Sequence, residues 1–232
     1  MSNPDVSKKG LMQLGGFSGI GAGVFFFIGV ILQITNNWFP EEALQSGEMV
    51  AWLKGVGENL PPMLVGVGFS IIGIFFFFST GFSLNRLHPK GGWLTSAAFC
   101  GHVLGTTLAM CAFVFGFGFT WGLSNLANGA AEETLQSLST VATMGMRGFL
   151  AGDDVATTLI GGVGNGLFSL AALRSGYLPK WLCWLGIITG ILIFVVLLRY
   201  FVPALVALSF AYPMIMIWFI CTGVILLKKA RA

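Results

Sequence analysis

Residues 181–198 read WLCWLGIITGILIFVVLL, and residues 203–227 read PALVALSFAYPMIMIWFICTGVILL. Each run is long enough to cross the hydrocarbon core of a bilayer, because a transmembrane helix needs about 20 mostly apolar residues. Only residues 199–202 separate the two runs, which makes the predicted helices antiparallel neighbours. The stretch therefore predicts a polytopic α-helical membrane protein.

Four further apolar runs precede this pair. They lie at residues 14–34, 63–84, 94–121 and 155–173, the last of which is diluted by glycines. Of the 232 residues, 56% are apolar and 9% are charged, whereas a soluble domain carries roughly 25% charged residues. The composition excludes a soluble enzyme, a disordered tail and a secreted disulfide scaffold. The predicted fold is an all-α bundle of six transmembrane helices in one domain.

The positive charges fall mainly on one side of the predicted bundle. Nine of the twelve Lys and Arg residues flank that side: Lys8, Lys9, Arg86, Lys90, Arg174, Lys180, Lys228, Lys229 and Arg231. Cytoplasmic loops carry an excess of Lys and Arg. We therefore expect a protein of the plasma (inner) membrane with both termini in the cytoplasm. The net charge of +3 gives no support to nucleic-acid binding.

Two long connections on the opposite, extracytoplasmic side carry amphipathic patterns. Their apolar residues recur at helical spacing, as Met49, Leu53, Val56 and Leu60 in the first and Leu135, Leu138, Ala142, Met146 and Phe149 in the second. The acidic residues beside them disfavour anionic lipid as a partner. We expect both segments to pack over the bundle or against another protein.

Small residues recur every fourth position within the spans. The pairs and triplets are Gly15, Gly19 and Gly23, then Gly101 and Gly105, Gly162 and Gly166, and Gly186 and Gly190. Such ridges let membrane helices approach closely. They predict a tight bundle, with self-association or contact with a partner helix as the alternative use.

Catalytic and coupling motifs are missing from the sequence. It contains no GxxxxGK, HExxH or GxSxG pattern, and the four cysteines form no CxxC pair. No Asp, Glu, Lys or Arg lies near the centre of a predicted span. Because ion-coupled carriers usually keep such a charge, this pattern argues against an ion-coupled pump.

A small polar interior is the candidate site. His102 is the only ionisable residue well inside a span, and burial of an imidazole is costly unless it is hydrogen-bonded. We expect it to face the bundle interior together with Thr106, Asn165, Ser169 and Gln33. A neutral, hydrogen-bonded packing role is the first interpretation. The alternatives are an axial ligand to haem or a chlorin, and a proton-sensitive or substrate-contacting group.

One stretch carries a resemblance. Residues 165–168 read NGLF and residues 175–181 read SGYLPKW, followed by Leu185, Gly186 and Gly190. This stretch resembles the bacterial DUF4386 membrane proteins. The resemblance implies a six-helix integral membrane protein of a family without an assigned function, and it brings no catalytic residues with it.

Three functions remain open at this point. The leading hypothesis is a non-catalytic membrane protein that acts as a structural, assembly or binding subunit, possibly self-associating in a larger membrane complex. The second is a passive channel or carrier for a small or lipophilic solute. The third is a haem- or pigment-binding subunit that uses His102. No metal site or other cofactor is expected.

Overall fold

The computed structural model describes residues 4–88 and 92–231. Its α-helices are α1 (Pro4–Thr35), α2 (Glu41–Ser46), α3 (Met49–Glu58), α4 (Leu60–Leu87), α5 (Gly92–Ala127), α6 (Glu132–Thr157), α7 (Gly166–Ser175), α8 (Lys180–Leu197) and α9 (Ala211–Arg231). A π-helix, Thr158–Asn165, joins α6 to α7, and two 3₁₀ segments, Leu198–Tyr200 and Pro203–Phe210, join α8 to α9.

Six helical stretches in this part of the chain are long and apolar enough to cross a membrane. They are Lys8–Thr35, Leu60–Leu87, Gly92–Ala127, Glu132–Ser175, Lys180–Tyr200 and Pro203–Arg231. The fourth differs from the sequence interpretation, because the predicted outer segment and the predicted span are parts of one continuous helical stretch. The all-α, six-span fold is confirmed.

The bundle has two distinguishable ends. Helix α1 packs along α4 and α9, helix α5 packs against α4 and α6, and α8 packs against α7, the π-helix and α9. We call the end that carries α2 and α3 the capped end. The opposite end holds the last turns of α7 and α9, with Arg174, Lys228 and Lys229, and we call it the basic end.

The glycine ridges are used inside the chain. A Cβ atom on Gly19 of α1 would lie 2.8 Å from the carbonyl oxygen of Phe219, and one on Gly105 of α5 would lie 2.9 Å from that of Ala156. On α8, a Cβ atom on Gly190 would lie 3.0 Å from the carbonyl oxygen of Gly162. These ridges bring helix backbones into direct contact, so at these positions the close packing is intramolecular.

Substitution at one ridge position should therefore destabilise the bundle. Gly105→Leu forces a side chain into the backbone of α6, and overpacking of this kind costs about 1–3 kcal/mol of unfolding free energy. Gly118→Leu on the same helix is the control, since nothing lies within 4 Å of its added Cβ atom. Thermal unfolding in mild detergent should show a lower midpoint for Gly105→Leu alone. Equal midpoints for the two variants would contradict this packing.

The first amphipathic segment forms the cap. The apolar face of α3 is buried through Met49, Trp52, Leu53 and Val56, and the helix packs against α5 and α6. The Trp52 indole N–H donates a hydrogen bond to the Asn37 carbonyl oxygen at 2.8 Å, which fixes the cap to the chain that leaves α1. The cap therefore buries its apolar stripe on protein.

The second stripe packs within a helical hairpin. Leu135, Ala142, Met146 and Phe149 of α6 are buried, and α6 lies along α5. Because α6 continues through the π-helix into α7, this stripe positions the whole fourth span against the third. It also sets the place of the residues at the end of α6, which form the candidate site.

Candidate ligand-binding cavity

A cavity of about 440 Å³ lies inside the bundle and extends from the capped end. Most of its wall is apolar and includes four phenylalanines, Phe26, Phe39, Phe77 and Phe113. Phe77 is 17 residues beyond Leu60 at the start of α4, or about 25 Å along the helix at 1.5 Å per residue. The cavity therefore reaches well into the depth of the bundle.

A polar network occupies the capped end of this cavity, with Asp154 at its centre. The Arg199 Nη2 atom donates to Asp154 Oδ2 at 2.8 Å, and the Tyr200 hydroxyl donates to the same oxygen at 2.5 Å. The Tyr212 hydroxyl donates to Asp154 Oδ1 at 2.8 Å. Arg199 Nη1 also donates to the Tyr212 oxygen at 3.1 Å. The network joins α6, the α8–α9 connection and α9.

The network neutralises its own charges. The Asp154 side chain is 7% exposed and that of Arg199 is 22% exposed, so both ions are largely removed from solvent. An ion pair of this kind is favourable when further hydrogen bonds satisfy the remaining atoms, and here two tyrosine hydroxyls do so. Arg199 is thus hydrogen-bonded to both Asp154 and Tyr212.

Two other carboxylates line the cavity without such compensation. Asp153 is half-buried in the wall, and Glu41 lies at the rim, at the first residue of α2. Among the described side chains, the only ion pair is that of Arg199 with Asp154. Desolvation raises the pKa of the Glu41 carboxyl, while its own backbone and the Arg199 charge oppose that rise. The cavity therefore has an excess of acidic groups at its capped end.

The sequence-predicted polar interior lies elsewhere. His102 is fully buried, and its ring packs against Gly81 of α4 and Gly164 of the π-helix. Phe168 and Phe219 lie against it, with ring centroids 5.3 and 5.7 Å away. A haem or chlorin needs a slot beside the ligating nitrogen, and protein fills the surroundings of this ring. The pigment alternative stays a prediction.

Of the other predicted interior residues, Thr106 and Asn165 lie beside His102. The Thr106 hydroxyl donates to the backbone oxygen of His102 at 2.7 Å and so stays on its own helix. Asn165 is fully buried beside Gly164, and Ser169, one turn further, lies against Gly186 of α8.

Gln33 is separate from this group. Its Nε2 atom donates to Ser70 Oγ at 2.8 Å. Ser70 precedes Gly81, which contacts His102, by about 16 Å along α4 at 1.5 Å per residue. The Gln33–Ser70 pair thus joins α1 to α4 at a different level of the bundle.

Two aromatic side chains connect the cavity wall to His102. Phe77 lines the cavity and packs on Phe219 with a centroid distance of 4.5 Å, and Phe219 meets the His102 ring edge to face. His102 itself is not part of the cavity lining in the described residues.

The residues that resemble DUF4386 proteins have a structural role at the basic end. Gly176 ends α7 with a φ of 67°, and Pro179 precedes the first turn of α8. Between them, the Tyr177 ring packs edge-on against the His88 ring, with their centroids 4.0 Å apart. The Lys229 ammonium donates a hydrogen bond to the carbonyl oxygen of Tyr177. Burial raises the pKa of Tyr177 to about 12 and lowers the pKa of His88, so both are neutral at pH 7. This turn holds α4, α7 and α9 together.

Comparison with known proteins identifies a family for this chain. No curated protein and no solved structure matches the chain. A family profile described as "Domain of unknown function (DUF4386)" matches residues 21–229, which confirms the resemblance seen in residues 165–190 and extends it over nearly the whole chain.

Proposed function

The chain is a multi-span helical membrane protein of the DUF4386 family, for which no activity is assigned, and we propose that it is a non-catalytic protein that binds a small lipophilic molecule in the capped-end cavity. The observation that carries the proposal is the cavity itself, a largely apolar chamber with a few polar groups at one end.

The size and lining of the cavity support this proposal. Ligand pockets in proteins are typically about 300–1,000 Å³, mostly apolar, with a small number of polar groups that orient the ligand. The cavity of about 440 Å³ falls in this range and confines its polar groups to the capped end. A ligand would place its apolar part among Phe26, Phe77 and Phe113 and its polar part near Asp153.

The chemistry of the lining favours binding over catalysis. A nucleophile with an adjacent base is the usual sign of covalent catalysis. The described lining includes no serine, cysteine, lysine or histidine, and the hydroxyl of Thr157, which does line the cavity, makes no hydrogen bond to a carboxylate in the described residues. Phe77 packs on Phe219 at the side of the cavity that faces the basic end, and this packing favours a bound molecule over an open pore.

Filling the cavity tests the proposal. Ala109 lines it and is 4% exposed, so Ala109→Trp should occupy much of the chamber. Leu104→Trp, at a position of α5 that is 60% exposed, is the matched control. The probe is N-phenyl-1-naphthylamine, a neutral dye whose fluorescence rises in apolar surroundings. Binding is measured on protein in nanodiscs, with protein-free nanodiscs subtracted.

We expect saturable binding to the wild type and to Leu104→Trp, and a dissociation constant raised by at least about tenfold, or 1.4 kcal/mol, in Ala109→Trp. Thermal unfolding of each variant shows whether it is folded. A folded Ala109→Trp protein that binds the dye as tightly as the wild type would contradict the proposal, as would a wild type that shows no saturable binding.

A further inference from the structure

We propose that the cavity selects lipophilic organic cations, that is, molecules with an apolar body and a single positively charged nitrogen. The inference rests on the proposed function and concerns the chemical class of the ligand.

The first support is the charge balance of the lining. Three carboxylates, those of Glu41, Asp153 and Asp154, face the cavity together with one cation, Arg199. Arg199 and Asp154 neutralise one another at 2.8 Å, and Arg199 also donates to Tyr212. The remaining acidic groups, Glu41 and Asp153, have no cationic partner within residues 4–88 and 92–231. A positively charged ligand supplies the missing countercharge.

The second support is the aromatic wall. Four phenylalanines and Tyr212 line the same cavity. The faces of aromatic rings attract cations, and cages of such rings recognise quaternary ammonium groups. An anion gains no such attraction, and the carboxylates repel it. An uncharged molecule of the same shape gains the apolar contacts alone.

The third support is the pairing of the arginine in the cavity wall. The Arg199 guanidinium donates one hydrogen bond to Asp154 and one to Tyr212, and the Tyr212 hydroxyl donates to Asp154. The charge of Arg199 is therefore offset by Asp154, which weakens its attraction for an anion. The neighbouring Asp153 has no cationic partner among the described residues.

Displacement of the neutral dye from nanodiscs of zwitterionic lipid tests the selectivity. The competitors share one alkyl chain and differ in the headgroup: decyltrimethylammonium, decanol and decyl sulfate. Competitor bound to each protein-containing nanodisc is compared with that in protein-free nanodiscs, which corrects for partition into lipid. For the wild type we expect the cation to displace the dye at an about tenfold lower bilayer concentration than the alcohol, with the sulfate weakest.

Removal of the uncompensated carboxylates should abolish this preference. In the Glu41→Gln, Asp153→Asn double variant, the bilayer concentrations of cation and of alcohol that displace the dye should differ by no more than about twofold. The control, Glu132→Gln with Glu133→Gln, removes two exposed carboxylates at the start of α6 and should keep the wild-type ratio.

Equal displacement by cation and alcohol in the wild type, or a preference that persists in the Glu41→Gln, Asp153→Asn protein, would overturn the cation inference and leave the binding proposal standing. A preference lost equally in the Glu132→Gln, Glu133→Gln control would overturn it as well, because the effect would then come from overall charge. A wild type that binds no dye would remove both proposals together.

Discussion

Asp154→Ala should lower the free energy of unfolding by about 3 kcal/mol, because truncation of one partner leaves the other charge of a buried pair uncompensated. Arg199, 22% exposed, would keep its charge at the edge of an apolar cavity with only Tyr212 as a described hydrogen-bond partner. The Tyr200 hydroxyl would lose its acceptor at the same time. The measurement is reversible unfolding in mild detergent, followed by tryptophan fluorescence.

A double variant tests whether the loss of stability comes from the unpaired charge or from the lost side-chain volume. Asp154→Leu with Arg199→Met removes both charges, and replacement of a buried pair by apolar groups is often neutral. It should therefore be more stable than Asp154→Ala. Glu133 is an exposed acid on the same helix, and Glu133→Ala should have the same free energy of unfolding as the wild type. If Asp154→Ala also matches the wild type, then Asp154 does not hold Arg199 as the structure places it.

Met146→Asp should prevent assembly of the α5–α6 hairpin or destabilise it by several kcal/mol, because an unpaired buried carboxylate is costly. Met146 is fully buried, and its sulfur accepts a hydrogen bond from Thr120 Oγ1 at 3.5 Å. Met144→Asp, two residues away at a side chain that is 73% exposed, is the matched control.

Size-exclusion chromatography and thermal unfolding in detergent distinguish the two variants. We expect Met144→Asp to elute as a single species near the wild-type position, and Met146→Asp to aggregate or to unfold at a much lower temperature. If the two variants elute and unfold alike, then the buried stripe of α6 does not stabilise the hairpin. The predicted second segment would then be an inert connection.

The membrane fold is predictable because its signal is local. Each span is a contiguous apolar run, and residues 181–227 contain two such runs with a tight turn between them. The glycine spacing also reports a local property, the bare face of one helix, and the structure shows which neighbour meets each face. The continuity of α6 with the fourth span was missed, since Asp153 and Asp154 interrupt the hydropathy that marks a span.

The cavity could not be predicted because its polar residues are distant in sequence. Asp154 lies 45 residues from Arg199 and 58 from Tyr212. Asp154 and Arg199 stand next to the ends of predicted spans, where a charge is ordinary. The sequence predicts a site at His102 because ionisable groups are rare inside a span, and in the structure His102 packs between Gly81 and Gly164. The available signal was the presence of both signs of charge on the same predicted side, at the ends of neighbouring spans.

The order of synthesis gives the Asp154 network a further consequence. Because a ribosome adds about 5–20 residues per second, Asp154 is made about 2–9 s before Arg199, which follows 45 residues later. Tyr212 comes later still, on the last helix. The nascent protein therefore holds the Asp154 carboxylate without its Arg199 partner until its final hairpin is made. The closing contacts of the cavity form at the end of biogenesis, and a chain that stalls before residue 199 lacks them altogether.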